Sequence, residues 1–519
     1  MPAFETLTDL HVLPGQVMNY TSTGENNSYI GLRAPTSGGM TASGPYASLT
    51  NDGEIRFTSS GHTSSYLIVH SLVIGGGNTI LNRGLMRLDA LEGSAGLIHM
   101  GNGGAAVRNQ GTMEVHAEAD AHILREMFLF DVVNSGVMRV TAGNFAFGLI
   151  CLFRMELTNT NTIWVTSTGS SAWGVSMGYG DGSYVVNSGM ISARATGPVG
   201  FGVGVDMGSA YTDALLENSG TVQGSHASVT GGGESFDGRH IIRNSGTLNG
   251  DVVLGRSRAD ILNTGTINGD VFLGGSNDLF AGGAGILNGA IFGESGNDTI
   301  TTGLGDDWLD GGEGNDRLDG GGGDNVMRGA NGEDVFISGA GADRIDGGAD
   351  GDTVDYSGLG AGVTVDLGIT TAQDTGAGGL DTLVSVERVR GTAFNDTLTA
   401  TTWAIENFGR VTKLETRDNR SIETAVSLDG LFALREDLDF EDSLTTPHVV
   451  VTAANSGGRE YYRFTVTEAG KWGRFDIDHV DYSWNLSLTL YDAAGNQIFV
   501  NYDWPQDQGS NTPADPFLQ

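Results

Sequence analysis

The sequence predicts an all-β protein in which the chain coils repeatedly through short parallel strands. Three observations support this fold class: seven consecutive nine-residue units, a looser repeat upstream of them, and an excess of glycine over proline. The 519 residues include 83 glycines and 9 prolines, a composition that favours many tight turns. We expect a right-handed parallel β-helix that continues into a parallel β-roll, followed by a small, incomplete β-sandwich.

The nine-residue units run without interruption from residue 293 to residue 355. Position six of each unit carries aspartate or asparagine, position eight is apolar, and glycine recurs at positions one, two and four. The units read GESGNDTIT, TGLGDDWLD, GGEGNDRLD, GGGGDNVMR, GANGEDVFI, SGAGADRID and GGADGDTVD. Position eight is predicted to lie on a short strand and to point into a narrow core. Its residues are Ile300, Leu309, Leu318, Met327, Phe336, Ile345 and Val354.

This pattern resembles the RTX (hemolysin-type) calcium-binding repeat, which forms a parallel β-roll. Calcium is a hard cation that takes about six to eight oxygen ligands from carboxylates and backbone carbonyls. Glycines allow positive φ angles, which let the carbonyls of the turn face an ion. The resemblance implies several Ca²⁺ ions as the cofactor, held by the residues at position six. Adding one near-repeat upstream and one downstream, the predicted metal ligands are Asp278, Asp298, Asp307, Asp316, Asn325, Asp334, Asp343, Asp352 and Asp396.

Each unit is predicted to form half a coil, so that carboxylates 18 residues apart stack on the same side. One column contains Asp298, Asp316, Asp334 and Asp352. The other contains Asp307, Asn325 and Asp343, and its neutral middle residue weakens it. The seven units carry 13 Asp, 3 Glu and 3 Arg, a net charge of −13. Because stacked carboxylates repel one another around a thin core, we expect metal binding and folding to be one event.

A second repeat, Asn-x-Gly-x-apolar, precedes the nine-residue units. Its copies begin at Asn51, Asn82, Asn109, Asn134, Asn159, Asn187, Asn218, Asn244 and Asn263, and the copy at Asn159 has Asn161 in place of glycine. The irregular period, between 19 and 31 residues, suits one coil of a parallel β-helix. We expect Asn and Gly to supply left-handed corners and the Asn side chains to hydrogen-bond along the stack. The repeat resembles those of autotransporter passenger domains, although a β-sandwich with frequent turns remains an alternative.

The last hundred residues are poorer in glycine and richer in aromatic residues. The segments YYRF (461–464), FDID (475–478) and LYDAAGN (490–496) resemble the bacterial pre-peptidase C-terminal domain, a small β-sandwich. Family members continue beyond the point where this sequence stops, so we expect the sandwich to be truncated. The predicted domains are an N-terminal cap at 1–48, a parallel β-helix at 49–290, an RTX β-roll with its flank at 291–400, a linker at 401–420, and the sandwich at 421–519.

Composition restricts the partners and the cellular location. The net charge of −36 argues against nucleic acid and anionic membranes and favours divalent cations. Cys151 is the only cysteine, so no intramolecular disulfide can form. The first twenty residues show no basic start followed by an apolar run, so we expect no cleavable signal peptide, and no 18-residue apolar stretch is present that could span a membrane. The resemblance to RTX proteins implies type I secretion from a Gram-negative bacterium to the extracellular space or the cell surface.

One segment, EVHAEADAHI, could carry chemistry. Its polar residues Glu114, His116, Glu118, Asp120 and His122 alternate with small or apolar ones, so a single strand would place all five on one face. Such a face could hold a transition metal or supply an acid and a base, but it more commonly is the solvent face of a strand. We therefore predict no catalytic residues. The favoured function is a secreted structural or adhesive protein that binds calcium and, as a candidate partner, a surface or matrix polysaccharide. The alternative is a carbohydrate-active β-helix enzyme, a lyase or epimerase, with an RTX module.

Overall fold

The computed structural model describes residues 9–23, 28–33, 48–60, 64–70, 78–99, 105–126, 130–178, 182–209, 212–232, 238–394 and 396–399, and eight short strands after residue 409. All regular secondary structure in these residues is β, as predicted. The chain divides into two compact units, Met1–Asp350 and Gly351–Gln519. Within the described ranges, no helix is long and apolar enough to cross a membrane.

The first unit is a stack of coils whose strands form three parallel ladders, and we call these ladders the first, second and third faces. On the first face, each strand pairs in parallel with the equivalent strand of the next coil. This face contains β1 (Asp9–Val12), β4 (Ser48–Asn51), β7 (Asn78–Asn82), β10 (Ala105–Asn109), β13 (Phe130–Asn134), β16 (Met155–Asn159), β19 (Tyr184–Asn187), β22 (Ala214–Asn218), β24 (His240–Asn244), β26 (Ala259–Asn263), β29 (Leu279–Ala281), β32 (Thr299–Thr301), β34 (Arg317–Asp319) and β36 (Val335–Ile337).

The second face follows a corner after each first-face strand. It contains β2 (Val17–Thr23), β5 (Glu54–Ser60), β8 (Leu85–Ala90), β11 (Thr112–Ala117), β14 (Val137–Ala142), β17 (Thr162–Ser167), β20 (Met190–Ala195), β23 (Thr221–Thr230), β25 (Thr247–Val253), β27 (Thr266–Asn268) and β30 (Ile286–Leu287). The long strands β23 and β25 also continue onto the third face.

The third face completes each coil. It contains β3 (Ser28–Arg33), β6 (Ser64–His70), β9 (Ser94–His99), β12 (Ala121–Glu126), β15 (Phe145–Cys151), β18 (Ser171–Ser176), β21 (Phe201–Asp206), β28 (Val271–Phe272), β31 (Ala290–Phe292), β33 (Trp308–Glu313), β35 (Val326–Asn331) and β37 (Arg344–Ala349). The second face ends at β30, and beyond it the coil has two faces only. Thr299 pairs with Arg317, and Arg317 pairs with Val335, so the coil is now 18 residues long. Each nine-residue unit is half a coil, as predicted.

The interior of the first unit is a continuous apolar ladder. The apolar residues that end the Asn-x-Gly-x-apolar repeats pair in register from Ile55 to Ile267, and each is at most 4% exposed. In the roll, the position-eight residues from Ile300 to Ile345 are 0% exposed. Burial of this apolar surface stabilises the stack by roughly 25 cal/mol per Å². The apolar residues of both repeats therefore line the interior, and the inward direction predicted for position eight is confirmed in the roll.

The recurrent asparagines form a second ladder, at the corner between the first and second faces. All nine side chains are at most 2% exposed. Each Nδ2 donates to the Oδ1 of the asparagine in the next coil, and the eight bonds measure 2.7–2.8 Å. Nδ2 also donates to a backbone carbonyl, as from Asn82 to Thr112 O at 3.0 Å. The predicted hydrogen bonding along the stack is confirmed.

The prediction that the corner glycines adopt left-handed conformations is wrong, however. None of Gly84, Gly111, Gly136 and Gly246 has a positive φ angle. A Cβ atom at Gly84 would instead collide with the carbonyl oxygen of Gly53, the corner glycine of the preceding coil, and the same collision recurs along the stack. Glycine is needed here because the corners pack backbone against backbone.

The second unit begins with six strands. They are β38 (Thr353–Asp355), β39 (Thr364–Asp366), β40 (Gln373–Asp374), β41 (Leu380–Val384), β42 (Arg388–Arg390) and β43 (Thr397–Thr399). The pairs β38–β42 and β39–β43 are parallel, and β40–β41 is antiparallel. Tyr356 is fully buried here, and its hydroxyl donates to Asp381 at 2.9 Å.

Most of the predicted linker and β-sandwich lies outside the described residues. The strands described there are β44 (Arg410–Thr412), β45 (Val426–Ser427), β46 (Val450–Thr452), β47 (Tyr462–Arg463), β48 (Phe475–Asp476), β49 (Ser487–Tyr491), β50 (Gln497–Tyr502) and β51 (Phe517–Leu518). The resemblance of this region to the pre-peptidase domain stays a prediction, as do the domain boundaries. The described strands of residues 9–33 pair as a coil with β4, β5 and β6.

Candidate calcium sites

Four buried aspartates form a column in the turns that lead from the third face to the first. We call Asp278, Asp298, Asp316 and Asp334 the first column; each is at most 3% exposed. Each carboxylate lies directly before a first-face strand, and its Oδ1 accepts the backbone N–H of the equivalent residue in the preceding coil. These bonds measure 2.7–2.8 Å and begin with Ala259 N to Asp278. Strand stacking therefore determines the position of one oxygen of every carboxylate.

The second oxygen of these carboxylates has a different environment. Oδ2 of Asp278, Asp298 and Asp316 is buried, and no described group donates a hydrogen bond to it. A buried carboxylate oxygen without a partner is costly, and such atoms commonly mark the place of an ion or a water molecule.

In the units that contain Asp298, Asp316 and Asp334, position one is a glycine, and these glycines are Gly293, Gly311 and Gly329. A Cβ atom there would collide with Oδ2 of the position-six aspartate in the same turn. At Gly293 and Gly329 it would also collide with the position-one carbonyl oxygen of the next coil. The space beside Gly293 and Gly329 is thus bordered by a carboxylate oxygen and a carbonyl oxygen, which are the two ligand types that calcium prefers.

Burial gives these carboxyl groups unusual proton affinities. It raises the pKa of Asp278 to about 8 and that of Asp316 to about 7, and repulsion from neighbouring carboxylates adds to both shifts. It also raises the pKa of Asp298 and of Asp334 to about 6. The ionised column is unfavourable without a cation, and a divalent ion would remove this penalty.

Side chains alone do not complete a metal site. Nowhere in the described ranges do three or more His, Cys, Asp or Glu side chains lie close enough together to hold a metal ion. Any ion in the first column would take most of its ligands from backbone carbonyls. At position four, Gly296, Gly314 and Gly332 have φ angles of 133°, 120° and 127°, which glycine adopts without strain.

The remaining predicted ligands fall into separate groups. Asp307, Asn325 and Asp343 stack in the opposite turns, where Asp307 N donates to Asn325 Oδ1 and Asn325 N donates to Asp343 Oδ1, both at 3.0 Å. We call these three residues the second column. Asp352 belongs to the second unit and is 0% exposed. The assignment of the predicted residues as calcium ligands stays a prediction.

Asp396 has hydrogen-bond donors on both of its oxygens. Its Oδ1 accepts from Val363 N at 2.9 Å and from the Thr392 hydroxyl at 2.7 Å, and its Oδ2 accepts from Thr392 N at 2.8 Å. This carboxylate closes a turn in the second unit.

The sequence reasoning missed Glu387. The segment Glu387-Arg388-Val389 pairs with Asp352-Thr353-Val354, so Glu387 lies at the position-six level of the next strand. Its Oε2 accepts Asp352 N at 2.9 Å, and burial raises its pKa. The order acidic–polar–apolar in Glu-Arg-Val was the available signal, but a long insertion separates it from the repeats.

A ladder at position five was also missed. Asn297 Oδ1 accepts Asn315 N, and Asn315 Oδ1 accepts Glu333 N, both at 2.9 Å. On the opposite side, Asp306 Oδ1 accepts Asp324 N at 2.8 Å. These exposed side chains satisfy backbone donors of the turns. The recurrence of Asn or Asp at position five could have identified them.

The polar segment 114–122 does not form one face. The second-face strand β11 ends at Ala117, and β12 begins at Ala121 on the third face, so a corner divides the segment. Glu114 lies between Arg139, at 2.9 Å, and Arg87, at 3.7 Å. Asp120 Oδ1 accepts from Asn144 Nδ2 and Phe145 N at the corner, and His122 is 6% exposed. The expectation of a shared solvent face is wrong because the chain turns within it.

Comparison with known proteins identifies the roll. A family model for the RTX calcium-binding nonapeptide repeat, which spans four copies, matches residues 292–327 and 319–354. No curated protein and no solved structure is significantly similar to the chain. The matched residues coincide with the two-faced coils and with most of the first column. The chain therefore contains RTX calcium-binding nonapeptide repeats, which bind several Ca²⁺ ions in each array.

Proposed function

We propose that this is a secreted RTX protein that calcium folds after type I export, and that it acts as a structural or adhesive protein outside the cell or on its surface. The observation that carries the proposal is the buried Oδ2 atom of Asp278, Asp298 and Asp316, which no described group satisfies. In this proposal, calcium is held by the position-six carboxylates together with carbonyl oxygens of the turns.

The electrostatics of the roll support a switch linked to export. Without calcium, the ionised first column is buried and self-repelling, which favours an unfolded roll in a calcium-poor cytoplasm. An unfolded chain can pass through a secretion channel. Outside the cell, calcium near the millimolar level suffices, because extracellular calcium modules bind with Kd values of roughly 10⁻⁴–10⁻³ M.

The upstream helix supports a presenting role. Its asparagine side chains hydrogen-bond to one another, and its apolar side chains are buried in the interior. The folding of these coils, and the regular surface that they present, therefore requires no metal ion. We propose a cell-surface or matrix polysaccharide as the partner of that surface. The separation of Glu114, His116 and His122 over two faces does not favour the enzymatic alternative.

A calcium titration of the full chain tests the proposal. The chain is stripped with EDTA, and far-ultraviolet circular dichroism and calorimetry are recorded as calcium is added. We expect β signal to rise together with heat of binding, with a midpoint in the millimolar range or below. Magnesium at the same concentration serves as the control, because it demands a tighter octahedral site and keeps its water. Identical spectra and no binding heat with calcium would refute the proposal.

A further inference from the structure

We propose that calcium binds along one side of the roll only: the first column takes the ions, and the second column is closed by its own hydroxyl and amide groups. This inference rests on the proposed function, because it specifies which turns of the roll hold the metal. The evidence is a difference at position one of the turns, which lies beside the position-six side chain.

In the first column, position one is glycine in the units of Asp298, Asp316 and Asp334. The glycines Gly293, Gly311 and Gly329 leave open the space beside the carboxylate Oδ2. For Asp298 and Asp316 this oxygen is buried, and no described donor reaches it. The turns of Asp298 and Asp316 therefore offer this oxygen atom without a hydrogen-bond donor beside it, which suits a cation.

In the second column, position one carries a hydroxyl in two of three turns. The Ser338 hydroxyl donates to Asp343 Oδ2 at 3.0 Å, and both side chains are at most 3% exposed. The Thr302 hydroxyl donates to the carbonyl oxygen of Gly320 at 3.0 Å, and it opposes the rise that burial causes in the pKa of the Asp307 carboxyl. The Ser338 hydroxyl thus takes the place where an ion would meet the carboxylate, and the Thr302 hydroxyl takes the place where an ion would meet the position-one carbonyl oxygen of the next coil.

The middle turn of the second column is closed in another way. Its position-six residue is Asn325, whose Oδ1 accepts Asp307 N at 3.0 Å. The remaining atom is Nδ2, which donates to Gly323 O at 3.3 Å. A Cβ atom at Gly320 would lie 2.6 Å from this Nδ2, where the first column has a carboxylate oxygen. A side-chain NH₂ group has no lone pair for calcium, so this turn presents protons to the site.

The two columns therefore offset the cost of burying their carboxylates in different ways. Hydrogen-bond donors in the second column supply the stabilisation that a cation supplies in the first. At Asp307, the bonds from Thr302 and from the Gly303 amide oppose the effect of burial, which raises the pKa. The turns of the second column need no metal ion to satisfy their buried side chains, and the number of bound ions is determined by the first column.

Counting ions in full-length variants tests the inference. Calcium bound per chain is measured by equilibrium dialysis for Asp298→Asn and Asp316→Asn in the first column, and for Asp307→Asn and Asp343→Asn as matched controls in the second. We expect fewer bound ions in both first-column variants and an unchanged number in the controls. Equal losses from the two columns would overturn the inference while leaving the proposed function intact. If the unsubstituted chain binds no calcium, the proposed function itself fails.

A gain-of-site variant gives an independent decision if a first-column variant does not fold. The triple substitution Thr302→Gly, Asn325→Asp and Ser338→Gly removes the donors and restores the carboxylate. We expect this chain to bind more calcium than the original. An unchanged ion count would show that these three side chains are not what excludes the ion, and would overturn the inference.

Discussion

In the first unit, the β-helix and the β-roll both stack polar side chains in ladders. The two ladders differ in one atom, because the Nδ2 of asparagine in the β-helix is replaced by the Oδ2 of aspartate in the β-roll. In the helix, asparagine accepts a hydrogen bond through Oδ1 and donates one through Nδ2, so each side chain satisfies its neighbours. In the first column of the roll, the aspartate side chain accepts a hydrogen bond through Oδ1, but its ionised Oδ2 carries no hydrogen atom and cannot donate one. The side chains are nearly equal in size. Replacing NH₂ by O⁻ turns a self-sufficient ladder into one that requires a cation.

The difference explains why two stacks with similar interiors should respond differently to metal. Both bury a continuous apolar ladder. The asparagine ladder adds neutral hydrogen bonds, each contributing about 0.5–1.5 kcal/mol. The aspartate ladder adds buried negative charge, and its repulsion falls only when a proton or a metal ion arrives.

Chelation should give the largest effect. In EDTA, the amides of β32 to β37 should lose nearly all protection from hydrogen exchange, because the ionised first column opposes folding. The amides of β7 to β27 should keep theirs. Hydrogen exchange of the full chain with and without calcium measures both regions in one sample. Equal loss of protection in helix and roll would mean that the asparagine ladder is not self-sufficient.

The two columns of the roll should differ next. Replacing Asp316 by Ala should weaken calcium binding by at least about tenfold. Removal of a residue that only hydrogen-bonds to a metal ligand typically lowers metal affinity by about this factor, and the loss of a ligand itself should lower it at least as much. Replacing Asn325 by Ala should weaken it far less, because Asn325 contributes no charge. Calorimetric titration of the two variants measures the difference. Equal losses would contradict the separation into columns.

The asparagine ladder should contribute to stability without metal. Asn159→Ala should lower the free energy of unfolding of the β-helix by about 1–3 kcal/mol, because it removes the buried hydrogen bond that Asn134 Nδ2 donates and the one that Asn187 Oδ1 accepts. Asn161→Ala, at the exposed corner two residues away, is the matched control and should change it little. Denaturation in EDTA checks this, and a small effect at Asn159 would weaken the comparison.

Protons should partly replace calcium in the roll. The first-column carboxyl groups have pKa values of about 6 to 8 when folded, above the ordinary 3.8. The folded state therefore binds more protons than the unfolded state, and its stability falls as the pH rises from about 4 to about 8. In EDTA, circular dichroism should show more β structure at pH 5 than at pH 8. More structure at the higher pH would contradict the assignment of these groups.

The smallest effects should come from the histidines of the helix. His116→Ala should change stability by less than about 0.5 kcal/mol, whereas His122→Ala, at 6% exposure, should cost about 1 kcal/mol. Thermal unfolding of both variants tests this ranking. Neither variant should alter calcium binding. If the double variant abolished a measurable lyase or hydrolase activity, the enzymatic alternative would replace the structural one.

Much of the architecture could be predicted because strand and repeat periods are local. The nine-residue spacing placed Ile300 and Leu318 in one ladder, and the asparagine phrase placed Met113 beside Met138, as the register shows. The position-six aspartates were recognisable for the same reason. Glu387 was not, because it reaches the level of Asp352 only after an insertion.

Sequence alone determined the period, the inward residues and the acidic character of the roll, since these follow from residue type and spacing. The tertiary structure decided where the chain turns a corner, as between Ala117 and Ala121, because a corner resets the alternation of inward and outward side chains. It also decided which carboxylate oxygens have donors. Asp298 and Asp343 occupy the same position in their repeats, yet only Asp343 receives the hydroxyl of Ser338. Hydrogen-bond satisfaction depends on the three-dimensional neighbours of each atom, which spacing along the chain does not specify.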